Sequence, residues 1–167
     1  MNNEEIVFIT RGCGDKFDPT RFNKIENIPG FCKPKGGLWS SPEKSEWGWI
    51  DWCESEEFRL DKVRASSFRF KLRAKSKVYK IDSIIDLLRV PYTKRKYEGL
   101  SYMSFMAMEK IIDFEKMAAE YDAIWLTVQG ESQTRWPMDY RFSDNFNLYG
   151  WDCETLLVLR PECIEVV

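Results

Sequence analysis

The stretch Gly36-Gly37-Leu38-Trp39-Ser40-Ser41, followed by Ser45, Trp47 and Trp49, joins a tight turn to an aromatic strand that carries small hydroxyls. Paired glycines let a backbone turn sharply or come close to a ligand, and serines on the strand behind them hydrogen-bond a ribose or brace a carboxylate. Read that way, the segment is the floor of a nucleotide pocket. Read alone, it is a hairpin whose tryptophans are core, so the flanking segments have to decide.

Toward the N-terminus, Glu5 to Thr10 predicts an opening strand closed by the turn Gly12-Cys13-Gly14-Asp15, and Asp18 to Pro34 predicts loop. Gly37 to Ser41 is a short strand, and Ser45 to about Phe58 predicts a helix, with Trp47, Ile50 and Glu54 at helical spacing. Phe68 to Arg73 alternates strictly, a half-buried strand with a basic outer face. Lys77 to Ile81 is the next strand, and Asp82-Ser83 starts a helix that Pro91 ends. Tyr92 to Tyr97 predicts a basic loop, Ser104 to Tyr121 a helix, and the apolar run Ala123 to Val128 a central strand. Gln129 to Asn147 predicts a polar loop. Glu154 to Leu159 is a buried strand broken by Pro161, and Cys163 to Val167 closes a sheet edge. With no internal repeat, residues 1–167 are expected to form one compact α+β domain.

Composition narrows the chemistry. A chain of 167 residues, 44% hydrophobic and 15% aromatic, buries one sizeable core with rings to spare for a cleft. Lys and Arg number 25 against 27 Asp and Glu, so the whole molecule is not an obvious polyanion binder. No apolar stretch reaches bilayer length and Met1 to Glu5 is acidic, unlike a signal peptide, which predicts a cytoplasmic protein with no membrane partner. Five scattered cysteines, none in a CxxC pair, predict reduced thiols and no metal site. The chain has no histidine, which removes Ser-His-Asp and Cys-His nucleophile systems, HExxH zinc sites and any histidine base. Reactions through a cationic transition state, which one fixed carboxylate stabilises, gain weight accordingly. The Gly12-Cys13-Gly14 turn is not a dinucleotide fingerprint, since Phe17 stands where the third glycine belongs, and there is no Gly-Lys-Ser phosphate loop.

The order of the motifs resembles the ADP-ribosyltransferases. An early strand ending in Thr10-Arg11-Gly12, the strand Gly37-Leu38-Trp39-Ser40-Ser41 with Ser45 and Trp47 after it, and a late strand opening at Glu154 match that family's three-part signature. The resemblance spans nearly the whole chain and implies a split, antiparallel-rich central sheet flanked by helices, with NAD as substrate. It implies that Arg11 grips ribose or phosphate, that Leu38 to Ser41 with Ser45 underlies nicotinamide, and that Glu154 is the catalytic carboxylate. Asp152 completes a pair like the Glu-x-Glu of arginine-modifying members. Gln129-Gly130-Glu131 resembles the Gln-x-Glu of other members, so Glu131 competes with Glu154; the strand and chain end that follow Glu154 favour it.

The residue types suit that reaction without the resemblance. Cleaving the nicotinamide–ribose bond creates an oxocarbenium-like centre, which a carboxylate already anionic at neutral pH stabilises. Arginine grips a diphosphate bidentately. Ser40 is placed to brace the carboxylate, and Trp39 or Trp47 to stack on nicotinamide. The segment after the central strand, with Gln129, Gln133, Arg135, Trp136 and Tyr140, is expected to present the acceptor. Basic stretches from Arg59 to Lys80 and at Lys94-Arg95-Lys96 leave RNA or DNA beside protein as acceptor.

The expectation is therefore a mono-ADP-ribosyltransferase of toxin or phage type, acting on a host target and paired in some settings with an antitoxin. Against it stand an NAD glycohydrolase, and a non-catalytic nucleic-acid-binding or inhibitory module of the same fold.

Overall fold

The computed structural model describes residues 6–29, 31–94, 110–135 and 146–167. The strands are β1 (Phe8–Arg11), β2 (Leu38–Pro42), β3 (Ser67–Leu72), β4 (Val78–Ile81), β5 (Tyr92–Lys94), β6 (Lys110–Ile112), β7 (Ala123–Leu126), β8 (Thr155–Val158) and β9 (Ile164–Val166). The helices are α1 (Trp49–Ser55), α2 (Leu60–Ala65), α3 (Ile84–Arg89), α4 (Phe114–Glu120) and α5 (Val128–Thr134). Seven strands form one mixed sheet in the order β4-β7-β8-β2-β1-β3-β9, while β5 and β6 pair separately. Among the described residues only β4 and β7 run parallel, joined through α3, β5, β6 and α4; the other neighbours in this sheet are antiparallel. The architecture is α+β. The sheet is continuous, and its two halves meet in the short β1–β2 register, Phe8 opposite Pro42 and Ile9 opposite Ser41.

Side chains alternate across this sheet, so each strand feeds two layers. One layer gathers Ile124, Leu126 and Leu157 with Leu87 of α3, Phe114 and Met117 of α4, and Trp151. The other gathers Phe8, Phe68, Phe70, Leu156 and Val158, with Trp125 packed against them. Three helix starts are capped by side chains: Ser83 Oγ accepts from Asp86 N, Asp113 from Lys116 N, and Thr127 Oγ1 from Gly130 N. The opening of α1 is held differently, by Asp51 accepting from Gly48 N and Ser41 Oγ accepting from Trp49 N.

Four local readings are corrected. The helix expected from Ser45 begins only at Trp49, because Ser45 and Trp47 are engaged with the segment before β8. Tyr92 to Lys94 is a strand, not a loop, paired with Lys110 to Ile112 inside the stretch read as helix; the β-branched Ile111-Ile112 favours extension and Asp113 caps a new helix. Residues 104–109 lie outside the described residues. Gln129 to Thr134, read as loop, is helical together with Val128, read as the strand's end: the Thr127 cap starts the helix, and a Cβ on Gly130 would clash with the Ile81 carbonyl oxygen, so this turn packs directly on β4.

The Gly36-Gly37 pair makes its close approach to the chain itself. Both have positive φ, +83° and +69°, and a Cβ on Gly36 would lie 2.2 Å from the Lys24 carbonyl oxygen. On Gly37 it would lie 2.8 Å from Ile25, Leu157 and the Val158 carbonyl.

Candidate functional site

Where β1 ends beside β2 and the segment entering β8, the sheet leaves a cavity of about 330 Å³. Arg11, Trp39 and Ser41 reach it because Ile9/Arg11 and Trp39/Ser41 share one face of their strands. Trp49 closes it from α1, and Trp151 and Asp152 from the segment before β8. Trp151 is fixed by its indole N–H donating to the Cys32 carbonyl at 2.9 Å, by stacking on Phe114 and by an edge contact to Trp39 at 4.9 Å. Lys33 lies over the Trp39 ring at 5.5 Å and 4.0 Å from the Asp152 carboxylate.

Arg11 is the electrostatic key to the cavity. Its Nε is buried with no hydrogen-bond partner, and no carboxylate among the described residues pairs with it. A buried donor left unsatisfied costs about 1–3 kcal/mol, which an anionic ligand would relieve. Asp152 is the carboxylate on the cavity wall; Arg135, which caps the end of α5, bridges it, at 3.3 Å, to Glu131, at 3.0 Å. Cys153 also lines the cavity, but burial pushes its thiol up to about 11, so it is a neutral thiol rather than a nucleophilic thiolate at neutral pH.

Glu154 lies elsewhere. It lines a second cavity of about 360 Å³ with Trp125, Pro42, Glu43 and Lys44. Its carboxylate accepts from Ser45 Oγ at 2.5 Å and from Trp125 Nε1 at 2.9 Å, and the Trp125 ring packs edge-on against Phe8, on the face opposite Ile9. The two acids are nevertheless tied together through Trp47, whose indole N–H donates to the Asp152 carbonyl and whose carbonyl accepts from Glu154 N.

The remaining candidates sort by the same parity. Ser40 Oγ donates to the Leu156 carbonyl and Ser41 Oγ to the Glu154 carbonyl, so both hydroxyls brace backbone, and the hydroxyl on the Glu154 carboxylate is that of Ser45. Thr10 Oγ1 is buried without a partner. Gly12, at φ +73°, donates its N–H to the Ser66 carbonyl and turns the chain out of β1. Leu38 packs in the layer of Phe8, and Gly37 in the clasp described above. Of the expected acceptor residues, Gln129 and Gln133 are exposed on α5, Gln133 accepting from Ile84 N, and Arg135 touches Asp152; Trp136 and Tyr140 lie outside the described residues. Trp49, part of the opening segment, lines the cavity, and Lys33 and Trp151 join it without having been singled out as site residues. Two-residue spacing from Arg11 and Trp39 marks which face to search, but nothing in the loop sequence marks Lys33.

Among the described residues no group of three or more acidic or cysteine side chains is arranged to hold a metal ion, and no helix is long and apolar enough to cross a membrane. Compared with protein-family models, curated proteins and solved structures, the chain matches none. The functional reading rests on the cavity's own chemistry.

Proposed function

We propose that the protein is a mono-ADP-ribosyltransferase, of ADP-ribosyltransferase-like fold, that cleaves NAD and transfers ADP-ribose to a protein or nucleic-acid acceptor. The observation that carries this reading is the unpartnered Arg11 guanidinium in a tryptophan-walled cavity that also presents Asp152. Arg11 and Lys33 supply the positive charge a diphosphate requires, and Trp39, Trp49 and Trp151 supply flat apolar walls for nicotinamide. Asp152 faces the ribose, where positive charge develops as the C1′–N bond breaks. The bonding pair leaves with nicotinamide as a neutral molecule, the acceptor's lone pair closes on C1′, and the acceptor's proton passes to solvent. Arg135 and Lys33 orient Asp152, and Glu154 acts through the Trp47 clamp as a positioning residue.

The test incubates purified protein with labelled NAD and cell lysate, following free nicotinamide and label on protein and nucleic acid separately. Asp152→Asn is expected to lower nicotinamide release by about 10²–10³-fold, the scale of a lost transition-state electrostatic contact, with its circular dichroism unchanged. Glu154→Gln is expected to stay within about tenfold of the parent, as a group that positions without touching the reacting atoms. Loss confined to Glu154→Gln would move the reaction to the second cavity, and no nicotinamide release by the parent protein would overturn the enzymatic reading. Release without label transfer would favour the glycohydrolase.

A further inference from the structure

The rings of Trp49, Trp52 and Phe58 belong to neither core layer. Trp49 and Trp52, three residues apart on α1, stack at 5.0 Å, and Phe58 closes on both edge-on, at 6.0 Å and 5.4 Å. Phe58 is brought back onto α1 by its backbone N–H, which donates to the Cys53 carbonyl at 2.8 Å, and it stands between Glu57 at φ +51° and Arg59 at φ +47°. These are the two non-glycine residues with positive φ among the described residues, a strained backbone that holds an exposed ring against two half-buried indoles. Trp49 is at the same time a wall of the main cavity.

Negative charge gathers on the same segment. Glu46 to Asp61 carries six carboxylates and a single cation, Arg59, in a chain whose charges nearly balance. Asp51 and Glu54 are committed to Gly48 N and Arg64, whereas Glu56, one turn beyond Trp52, and Glu57 and Asp61 are exposed and form no ion pair among the described residues. Arg59 sets its guanidinium over the Phe58 ring at 5.2 Å, the geometry in which an aromatic face holds a cation. The next cation along, Lys62, lies with its stem against Gly12 at the exit of β1. Beyond it, Arg64, Arg69 and Lys80 are spent on Glu54, Glu43 and Asp82, which leaves the basic stretch poorly suited to a polyanion. We propose that the α1–α2 face docks a basic segment of a protein partner, whose arginine or lysine side chains stack on Trp52 and Phe58 and pair with Glu56 and Glu57. Because Trp49 is shared with the cavity, a segment seated there is delivered to the cavity's mouth. The proposal stands on these rings and charges and does not require the NAD reading.

The test titrates the full chain into three fluorescently labelled probes and follows their anisotropy: a peptide alternating arginine with glycine and serine, the same peptide with glutamate for arginine, and a single-stranded oligonucleotide. The basic peptide is expected to bind and the other two to stay free. Glu56→Gln/Glu57→Gln is expected to weaken its binding about tenfold, the reach of two surface charge contacts, and Trp52→Ala by about the same factor. Glu120→Gln/Glu165→Gln removes the same charge from exposed positions on α4 and β9, and is expected to leave binding within about twofold of the parent. No binding of the basic peptide, binding as tight of either other probe, or equal weakening by the two double variants would overturn the docking surface. The glutamate variants keep the rings in place, so they decide the outcome even where Trp52→Ala destabilises the fold. Nicotinamide release by the parent protein, assayed separately, decides the reading of the cavity, and neither result bears on the other.

Discussion

The two faces of the β1–β2–β8 sheet differ in how they treat charge. On one, Arg11 is left without a partner in an open cavity beside Asp152; on the other, Glu154 is fully engaged by Ser45 and Trp125. An ionised group held by protein donors stabilises the fold, whereas one left unsatisfied is a cost that folding alone does not explain. The difference is between a charge that protein donors satisfy and one that they do not, although both stand at strand ends and look alike as isolated charges.

The largest test of this contrast uses the adjacent pair Leu156 and Leu157, both fully buried and facing opposite layers. Each Leu→Ala change is expected to cost about 2–5 kcal/mol in denaturant unfolding. Only Leu157→Ala, opposite Trp39 in the β2–β8 register, is expected to weaken NAD binding as well, measured at a temperature where both variants remain folded. Equal effects on binding would mean that the faces are not functionally distinct.

Arg11→Ala and Glu154→Ala sharpen the comparison. Arg11→Ala is expected to leave stability unchanged or slightly raised while weakening NAD binding by about tenfold to a hundredfold, the range of a lost charge-assisted contact. Glu154→Ala should do the reverse, lowering stability by about 1–3 kcal/mol because the Trp125 indole N–H loses its acceptor. Paired thermal melts and titrations check both, and a destabilised Arg11→Ala would show that its guanidinium supports the fold.

The last contrast is alkaline and vanishes at neutral pH. Cys153 lies on the cavity side and Cys163 in the opposite layer; burial raises their thiols from an ordinary 9.0 to about 11 and about 12. Because the folded values are raised, the stability they contribute is complete below the unfolded value and is lost as pH rises through the folded ones. Melting temperature is expected to fall between about pH 9 and 11, and Cys163→Ala to flatten that slope. An unchanged slope in that variant would remove Cys163 as its source.

Much of the strand framework is legible in the sequence because alternation and β-branched runs are local signals. Phe68 to Leu72 and Ala123 to Leu126 read directly as strands, and Ser83 with Pro91 brackets α3. The start of α5 is less legible, since it depends on Gly130 fitting against a carbonyl of β4, a contact 49 positions away in the chain. Likewise the strand Lys110 to Ile112 is completed by pairing with Tyr92 to Lys94, a partner that lies 18 positions away in the chain, beyond the local β-branched signal of Ile111-Ile112. At the site, Arg11, Trp39, Ser41 and Asp152 are all brought to one cavity, as residue chemistry suggests. The separation of Asp152 from Glu154 turns on which way each side chain leaves the backbone, which residue type alone does not convey.

The Gly36-Gly37 clasp has a practical consequence for anyone wishing to retune specificity. Backbone atoms crowd both positions, so libraries that randomise them will mostly return unfolded protein. The residues just before them, Phe31, Lys33 and Lys35, are exposed or half-exposed, and Lys33 enters the main cavity. The same loop thus couples an intolerant anchor to a permissive tip, an arrangement in which a binding surface diversifies by substitution while its mooring stays constant.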